Sequence, residues 1–470
     1  MIVSLLLLIA HLGGFISSLH AILSTRTSQG AVAWVISLNS FPVVALPAYW
    51  VFGRNNFQGY VVERQEENRE VHQLIGKVME AHPEVFSTRR HTLPAVLAAE
   101  RLALMPTLHG NRVSLLVDGQ ATFDSILAGI AEAESYVLVQ FYILRDDGLG
   151  HRLRDALIER ARAGVRVYVL YDEIGSFGLP AAYLSSLREA GVDVRSFHTR
   201  KGPQNRFQLN FRNHRKIVVT DGTAAWVGGH NVGDEYLDGG PEFDSWRDTH
   251  LKIEGPGTLS LQWVFLEDWN WAADEVLEVD WEAGLVTRGD QEVLVIPSGP
   301  ADHRETATLM FTHAINSAKQ RIWIASPYFV PDPGVMRALQ LAALRGVDVR
   351  ILLPDEKDHL LVYLAGFSYM NEAGSDIRFW RYTGGFMHQK VMLIDETVAS
   401  VGTANFDNRS FRLNFEVTAM VIDKAFNREV AEMLEHDFVR STEVPANLIE
   451  SKSRFFRLKS RAASLLSPIL

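Results

Sequence analysis

One polar motif occurs twice in this chain with every interval kept, and that repetition limits the folds open to it. Residues 214–221 read HRKIVVTD and are followed by GGHN at 228–231, while residues 388–395 read HQKVMLID and are followed by GTAN at 402–405. A single copy would be typical of surface chemistry or a turn. Two copies in one chain predict a site assembled from two similar halves, because a His, a Lys, an Asp and an Asn recur at identical offsets.

The residues around the motif repeat as well, and they predict the fold class. A helix, strand, helix and strand are predicted over 123–133, 136–143, 150–163 and 165–171, and again over 308–318, 321–329, 334–345 and 347–353. Strands that alternate with helices are typical of a mainly parallel sheet covered on both faces. We therefore predict an α/β protein of two similar domains, each with a mainly parallel or mixed sheet covered by helices. The domains are related by a pseudo-two-fold axis, and residues 286–295 form the crossing between them.

Length and composition limit the function classes. A chain of 470 residues suits two domains plus additional segments. A net charge of −10 argues against a general nucleic-acid binder, which needs clustered Lys and Arg to displace counterions from phosphates. The chain contains no cysteine, and this excludes disulfides, thiolate zinc sites and a cysteine nucleophile.

Two segments near the N-terminus carry no Lys, Arg, Asp or Glu, namely Met1 to Leu23 and Ala31 to Gly53. Each is long enough to cross roughly 30 Å of hydrocarbon as a helix. We predict a transmembrane hairpin whose second helix is kinked at Pro42 and Pro47. A cleaved signal peptide is the alternative for the first segment, but that segment lacks a basic start and a small-x-small cleavage site.

Basic residues predict the orientation of this hairpin. The connecting loop has only Arg26, whereas Arg54, Arg64, Arg69 and Lys77 follow the second span. The positive-inside bias therefore places the body in the cytoplasm, on a multi-pass anchor. The whole division predicted is transmembrane helices over 1–53, a helical connector over 54–110, the first half over 111–285, the second half over 286–450 and a basic amphipathic tail over 451–470.

The tail combines basic and apolar side chains between Lys452 and Leu470. A basic amphipathic helix can lie on an anionic membrane surface. It can equally pack its apolar stripe on its own domain, and the sequence favours neither arrangement.

The repeated polar residues fit a phosphoryl group. Alternate residues of a strand share a face, so the His and the Lys of each copy point the same way, and each Asn can be brought beside them by its Gly-rich turn. One His can attack phosphorus while the other protonates the leaving oxygen from the opposite side. Lysines supply the charge that a metal ion supplies elsewhere, so no cofactor or metal is expected. The predicted set is His214, Lys216, Asn231, His388, Lys390 and Asn405.

The repeated motif resembles that of a known family. The motif His214-x-Lys216-x4-Asp221 and its partner His388-x-Lys390-x4-Asp395 resemble the paired motifs of the phospholipase D superfamily. The N-terminal spans and the phrases SPYFVPD (326–332) and WRDTHLKIEGP (246–256) resemble, more narrowly, bacterial cardiolipin synthases.

The resemblance implies a phosphatidyltransferase that makes cardiolipin and glycerol from two phosphatidylglycerol molecules through a phosphatidyl-histidine intermediate. It implies His214 as the nucleophile and His388 as the general acid and base, although the near-symmetry of the motifs leaves this order open. It also implies that Lys216, Lys390, Asn231 and Asn405 bind phosphoryl oxygens. Phosphatidylglycerol and anionic membrane lipids are the expected partners, and the oligomeric state, a homo-oligomer included, stays open.

The acidic residues of the site are predicted to have two different roles. Asp221 and Asp395 belong to the family's catalytic motif, yet their spacing from Lys on a strand turns them away from it, so we expect a structural role in hydrogen bonding. Glu416 and Asp248 are predicted to orient the histidines. Glu242 has the same spacing from Asn231 as Glu416 has from Asn405, and this leaves the first-half carboxylate open.

Three other functions compete with cardiolipin synthesis. A phospholipase D-type hydrolase or transphosphatidylase would pass the same intermediate to water or another alcohol. A nuclease of the same superfamily is disfavoured by the acidity and the membrane spans. A non-enzymatic membrane scaffold is disfavoured because His and Lys are intact in both copies.

Overall fold

A computed structural model describes residues 2–25, 27–53, 81–86, 94–197, 210–241 and 243–469. Three helices form the N-terminal unit: α1 (Ile2–Ser24), α2 (Ser28–Ser40) and α3 (Pro42–Phe52). Among the described helices, α1 alone is long and apolar enough to cross a membrane. The second predicted span is instead two shorter helices, because the chain leaves helical geometry at Phe41, directly before Pro42.

The three helices contact one another through polar as well as apolar groups. Asn39 Nδ2 donates to Ser18 Oγ at 2.8 Å, and Trp50 Nε1 donates to Ser17 Oγ at 3.2 Å. His20 Nδ1 lies 2.6 Å from the hydroxyl of Tyr49. These bonds join α1 to both following helices, and they satisfy polar groups that a bilayer could not.

Much of the predicted connector lies outside the described residues, at 54–80 and 87–93. So do all five basic residues on which the predicted orientation rests: Arg26, Arg54, Arg64, Arg69 and Lys77. The part that is described ends in helix α4 (Pro94–Ala103), which packs against the second half of the body.

The first half contains nine strands and five helices within its described residues. They are β1 (Leu108–Val117), α5 (Asp118–Glu132), β2 (Tyr136–Phe141), α6 (Gly148–Arg162), β3 (Arg166–Asp172), α7 (Ala181–Glu189), β4 (Asp193–Phe197), β5 (Arg212–Asn213), β6 (Ile217–Thr220), β7 (Ala224–Gly228), α8 (Glu235–Asp238), β8 (Trp246–Arg247), β9 (Thr249–Glu254) and α9 (Gly257–Ala273).

The second half repeats this order and adds the tail. Its elements are β10 (Gln291–Ser298), α10 (Thr306–Ser317), β11 (Arg321–Ala325), β12 (Phe329–Val330), α11 (Pro333–Leu344), β13 (Asp348–Pro354), α12 (Leu360–Ala373), β14 (Arg378–Tyr382), β15 (Phe386–Met387), β16 (Val391–Ile394), β17 (Val398–Gly402), β18 (Phe406–Asp407), α13 (Asn408–Arg412), β19 (Asn414–Ile422), α14 (Lys424–Val439), β20 (Ser441–Glu443), α15 (Leu448–Ser451) and α16 (Arg454–Ser464).

The strands of both halves join into one 16-stranded sheet. Its order is β20-β14-β13-β11-β16-β17-β19-β10 in the second half, continued by β1-β9-β7-β6-β2-β3-β4 in the first, and the sixteenth strand, β5, pairs with β19 off this path. The predicted fold class, an α/β protein of two similar halves with helix-covered sheets, is confirmed. Parallel pairing, however, is confined within the main path to β2-β3-β4 and β11-β13-β14. The motif strands are joined by tight turns, which make antiparallel pairs, so the sheet is mixed rather than mainly parallel.

The two halves meet at a strand rather than at a linker. Within the predicted crossing, β10 begins at Gln291 and pairs antiparallel with β1 on one side and β19 on the other. Buried side chains such as Val293 and Val295 therefore belong to a core shared by both halves.

The tail helix α16 packs along α12. The rings of Phe456 and Phe367 are 5.1 Å apart, and Ser460 Oγ donates to the carbonyl of Leu364 at 2.8 Å. Phe455 and Leu458 on the adjacent face stay exposed. One face of α16 therefore packs on the domain, and the adjacent face stays exposed to solvent.

Candidate active site

Each motif histidine follows a two-residue strand that pairs with the opposite half. Strand β5 pairs with the start of β19, and the His214 amide donates to the carbonyl of Phe415 at 2.9 Å. Strand β15 pairs with β8 in the same way, and the His388 amide donates to the carbonyl of Arg247 at 2.8 Å. These reciprocal contacts bring both motifs to the boundary between the halves.

The carboxylates beside the histidines are exchanged between the halves. His214 Nδ1 lies 3.0 Å from both carboxylate oxygens of Glu416, and His388 Nδ1 lies 2.7 Å from Asp248 Oδ2. Donation from Nδ1 of each histidine to its carboxylate leaves each Nε2 with its lone pair. Lys390 Nζ also lies 2.9 Å from His388 Nδ1. The alternative residue, Glu242, lies outside the described residues.

Both lysines fold back on the histidine of their own motif. Lys216 Nζ donates to the His214 carbonyl at 2.7 Å, and Lys390 Nζ donates to the His388 carbonyl. Lys216 and Lys390 are 0% and 5% exposed, and each histidine is 8% exposed. All four side chains are therefore buried, and Lys216 lies deepest.

Burial dominates the electrostatics of both histidines. It lowers the pKa of His214 to about 4, against the opposing effect of Glu416 and with further lowering by Lys216 and Lys390. The pKa of His388 is held well below its ordinary value by burial and by both lysines. Because each lysine acts on the histidine of the other motif, the two pairs form one electrostatic unit. Both imidazoles are neutral near pH 7.

Burial also lowers the pKa of both lysines, to about 7 for Lys216 and about 8 for Lys390. Glu416 and Asp248 oppose this effect at both positions. Burial pushes the pKa of Glu416 upward, but His214 and Lys216 together outweigh it, so that carboxylate stays ionised. A bound anion would favour the charged form of both lysines.

Gly229 and Thr403 differ between the motifs, and the structure explains why. A Cβ atom at Gly229 would lie 2.0 Å from Asp248 Oδ1, so glycine makes room for the short carboxylate. In the other half, Thr403 Oγ1 donates to Glu416 Oε2 at 2.6 Å. Asn414 Nδ2 donates to Glu416 Oε1 at 3.1 Å. Neither donor was predicted from the sequence, although the change from Gly to Thr at an otherwise repeated position was a signal.

A buried aspartate on a helix lies beneath each motif, and neither was predicted. Asp268 accepts from Arg215, Gln140 and Asn213 at 2.6–2.8 Å. Asp437 accepts from Gln389 at 2.8 Å, and from Nε and Nη2 of Arg247 at 2.8 and 2.9 Å. These helices, α9 and α14, follow equivalent strands, so alignment of the two halves could have indicated the pair.

Asp221 and Asp395 are turned away from the cleft into the turns that follow β6 and β16. The Asp221 carboxylate accepts from the amides of residues 134–136, each at 2.8 Å, and Asp395 accepts from those of residues 319–321 at 2.8–3.1 Å. Both have positive φ, 52° and 48°. Their oxygens bind backbone amides, which agrees with the structural role expected for both residues of the catalytic motif.

The two asparagines differ in their partners. Asn231 Oδ1 accepts from the Ile143 amide at 3.2 Å, and its Nδ2 donates to the Tyr236 hydroxyl at 3.0 Å. The Asn405 side-chain oxygen is buried without a hydrogen-bond partner. Both polar atoms of the Asn231 side chain are therefore bound within the protein, whereas Asn405 Oδ1 can still accept a hydrogen bond.

The walls around the two histidines are chemically different. The Tyr142 ring lies 5.0 Å from His214, and its hydroxyl feels the charges of Arg212 and Arg409. On the other side, the rings of Trp246 and Phe386 lie 5.1 and 6.1 Å from His388. The His and Lys groups are nearly symmetric, but the wall beside His214 is basic and the wall beside His388 is aromatic.

No group of three His, Asp or Glu that could hold a metal ion occurs in the described part of the chain.

A family model described as "Cardiolipin synthase, PLD-like domain" (PLD, phospholipase D) matches residues 126–252 and 311–438. Cardiolipin synthase A of Pseudomonas putida (strain W619) is 47% identical over 98% of this chain and 97% of its own length. Cardiolipin synthase A of Pseudomonas fluorescens (strain Pf-5) is 48% identical over 99% of this chain and 98% of its own length.

Two solved structures share the fold at low sequence identity. Phosphatidylserine synthase of Haemophilus influenzae Rd KW20 superimposes with a TM-score of 0.57 at 13% identity, covering 80% of this chain and all of that one. Polyphosphate kinase of Porphyromonas gingivalis has a TM-score of 0.51 at 14% identity, covering 75% of this chain and 53% of that one.

Proposed function

Because this chain belongs to the cardiolipin synthase family of phospholipase D-like proteins, we propose that it is a membrane-bound phosphatidyltransferase that uses phosphatidylglycerol twice. One molecule donates its phosphatidyl group and loses glycerol. The second accepts that group on a glycerol hydroxyl, and the product is cardiolipin. In support, relatives that align over nearly their whole length are named cardiolipin synthase A.

The observation that carries the proposal is the reciprocal pairing of each histidine with a carboxylate of the opposite half. Hydrogen bonds of 3.0 Å to Glu416 and 2.7 Å to Asp248 fix the tautomers and leave both Nε2 atoms available. Two such imidazoles beside two lysines suit in-line displacement at phosphorus, where one side needs a nucleophile and the other a proton donor.

In the first step His214 Nε2 attacks phosphorus, an N–P bond forms, and the P–O bond to glycerol breaks. His388 gives its proton to the leaving glycerol oxygen. Low pKa values leave both imidazoles neutral in the free protein, which suits the nucleophile. The anionic phosphodiester raises the pKa of His388 on binding, so the acid takes up its proton with the substrate.

In the second step the neutral His388 removes a proton from the glycerol hydroxyl of a second phosphatidylglycerol. That oxygen bonds to phosphorus, the N–P bond breaks, and His214 is released. Lys216 and Lys390 balance charge on the non-bridging oxygens, with Asn231 and Asn405 as further ligands. The order of the histidines follows the family resemblance, since the carboxylate and lysine contacts of the two imidazoles are nearly symmetric.

We assign the protein to the bacterial inner membrane as a multi-pass protein with the body in the cytoplasm. Helix α1 has the length and composition of a span, and α2 and α3 together are the second, interrupted one. Anionic lipids of that membrane are then both substrate and surroundings.

The decisive test incubates the purified chain with phosphatidylglycerol alone and follows cardiolipin, glycerol and phosphatidic acid. We expect cardiolipin and glycerol in equal amounts. Phosphatidic acid without cardiolipin would reject the synthase in favour of a hydrolase or a transphosphatidylase that uses another alcohol. His214→Ala and His388→Ala should each lower the rate by at least about a hundredfold, the usual scale for acid–base catalysis. Unchanged activity in either variant would overturn the mechanism.

A further inference from the structure

Exposed apolar side chains lie at equivalent places in the two halves. Phe177, in the loop after β3, is 88% exposed, and Leu360 and Leu361, at the start of the helix after β13, are 56% and 47% exposed. Strands β3 and β13 hold the same position in the two halves of the sheet. The pseudo-two-fold repeat therefore presents apolar groups on both sides of the boundary where the histidines meet.

Both places adjoin the catalytic cleft. Ser176, next to Phe177, donates to the Tyr142 carbonyl at 3.1 Å, and the Tyr142 ring lies 5.0 Å from His214. In the second half the Tyr328 hydroxyl donates to Asp358, two residues before Leu360. Tyr142 and Tyr328 occupy equivalent positions after β2 and β11, so the exposed groups flank the same edge of the sheet.

Helix α16 extends this apolar rim. It is held on α12 by Phe456, Ser460 and the buried Ala463. Its outer face carries Phe455 and Leu458, each 65% exposed, followed by Leu465 at 80%. The helix that begins at Leu360 thus carries on its flank a second helix with an uncovered apolar face.

The same helix is strongly basic in an acidic protein. Residues 451–470 contain five Lys and Arg and no acidic residue, although the whole chain has a net charge of −10. The exposed cations are Arg454, Arg457, Lys459 and Arg461. Lys459 Nζ lies 4.5 Å from the Phe455 ring centre, so charge and apolar surface are mixed at the scale of single side chains.

We propose that Phe177, Leu360, Leu361 and the outer face of α16 form one docking surface that lies on an anionic bilayer and turns the cleft towards it. This inference rests on the proposed function, because it requires a lipid substrate. Apolar side chains enter the headgroup region, cations meet lipid phosphates, and a headgroup can reach the histidines while its acyl chains stay in the membrane.

A second copy of the chain is the other occupant that could cover an apolar face. A two-fold contact would set this surface against itself and bring four exposed cations from each copy together. That repulsion disfavours a dimer, whereas anionic lipid headgroups complement the charge.

Placement on the bilayer can be measured with a single label, because the chain contains no cysteine. Leu458→Cys carries an environment-sensitive fluorophore in proteoliposomes. The matched control is Leu344→Cys, which is 74% exposed and lies at the end of α11, at the edge of the sheet where β13 begins. We expect a blue shift and quenching by lipid-borne quenchers at position 458 alone, strongest in vesicles that contain phosphatidylglycerol and weaker in phosphatidylcholine.

Equal responses at positions 458 and 344, or no response at either, would overturn the docking surface. So would a blue shift at position 458 in detergent that grows with protein concentration, because that result identifies a second copy as the occupant.

Rate measurements on bilayer and monomeric lipid distinguish a role in membrane docking from a role in catalysis. Phe455→Ser combined with Leu458→Ser should lower the initial rate on phosphatidylglycerol in bilayers by about tenfold or more, the scale of removing two apolar insertions. The rate on monomeric short-chain phosphatidylglycerol should stay unchanged, as should both rates in Leu344→Ser. Equal bilayer rates in variant and wild type would reject the docking surface. Failure of the wild type to make any cardiolipin from the short-chain lipid would instead reject the proposed function.

Discussion

The difference between the motifs at positions 229 and 403 matches the difference between their carboxylates. Gly229 stands beside Asp248, and Thr403 stands beside Glu416. The short carboxylate needs the space of a missing Cβ, while the longer one is held by a hydroxyl. Each half therefore reaches the same histidine contact with a different pair of residues, and exchanging one member alone would leave either a clash or a lost hydrogen bond.

The lowered pKa values of the lysines predict the alkaline side of the pH profile. With pKa values of about 7 for Lys216 and about 8 for Lys390, both lose their charge as pH rises through 7 to 8, well below the usual range for lysine. Binding of the anionic phosphodiester should weaken in the same range. We expect kcat/KM for cardiolipin formation, measured from pH 5.5 to 9.5, to fall above about pH 7.

A cation that keeps its proton supplies the control for that profile. Lys216→Arg retains its charge throughout this range, so its decline should begin at higher pH, near the pKa of Lys390, even if its maximal rate is lower. Wild-type and variant profiles that fall at the same pH would show that another group controls the alkaline side.

At the scale of elements, one aspartate in each half links the turn after a motif strand to the start of a neighbouring strand. Asp221 begins the turn between β6 and β7 and accepts three amides at the start of β2. Asp395 does the same for β11. Since β6 and β16 begin next to the motif lysines, these aspartates hold the motif strands in register without touching substrate.

Asp221→Asn should therefore act on stability more than on chemistry. The asparagine amide keeps the shape of the side chain but loses the negative charge that strengthens the hydrogen bonds from the backbone amides. We therefore expect the free energy of unfolding to fall by about 1–3 kcal/mol. Urea unfolding followed by tryptophan fluorescence measures this loss. The rate of cardiolipin formation per folded molecule should change little.

The exposed Asp155 serves as the matched control, since its side chain is 64% exposed, and Asp155→Asn should change stability by less than about 0.5 kcal/mol. A large loss of rate in folded Asp221→Asn with unchanged stability would instead make Asp221 a catalytic group.

At the scale of the whole molecule, both histidines, both lysines and both carboxylates of the candidate site come from one chain. The halves share a continuous sheet through β1 and β10, and they exchange short strands at β5–β19 and β8–β15. Each histidine is oriented by a residue more than a hundred positions away in the sequence.

Mixing two inactive variants tests this intramolecular site. His214→Ala and His388→Ala each leave one histidine intact, and because both histidines of a site come from one chain, the mixture should remain as inactive as its components. The measurement is cardiolipin formation after the two proteins are co-reconstituted. Recovery towards a quarter of wild-type activity or more would indicate that chains exchange halves.

The sequence by itself determined the repeat, the α/β class, the helix and strand order, and the identity of the paired His and Lys. It could do so because these depend on periodicity and on identical offsets within one chain. The break at Phe41 was foreshadowed by Pro42, although a single kinked helix was predicted. Only the tertiary structure decided that the sheet is continuous across the halves and parallel only at β2-β3-β4 and β11-β13-β14 along its main path. It also decided that Glu416 serves His214 while Asp248 serves His388, and that Asp268 and Asp437 lie beneath the motifs. These depend on which strands become neighbours across the two halves, and such contacts between distant residues leave no local pattern in the sequence.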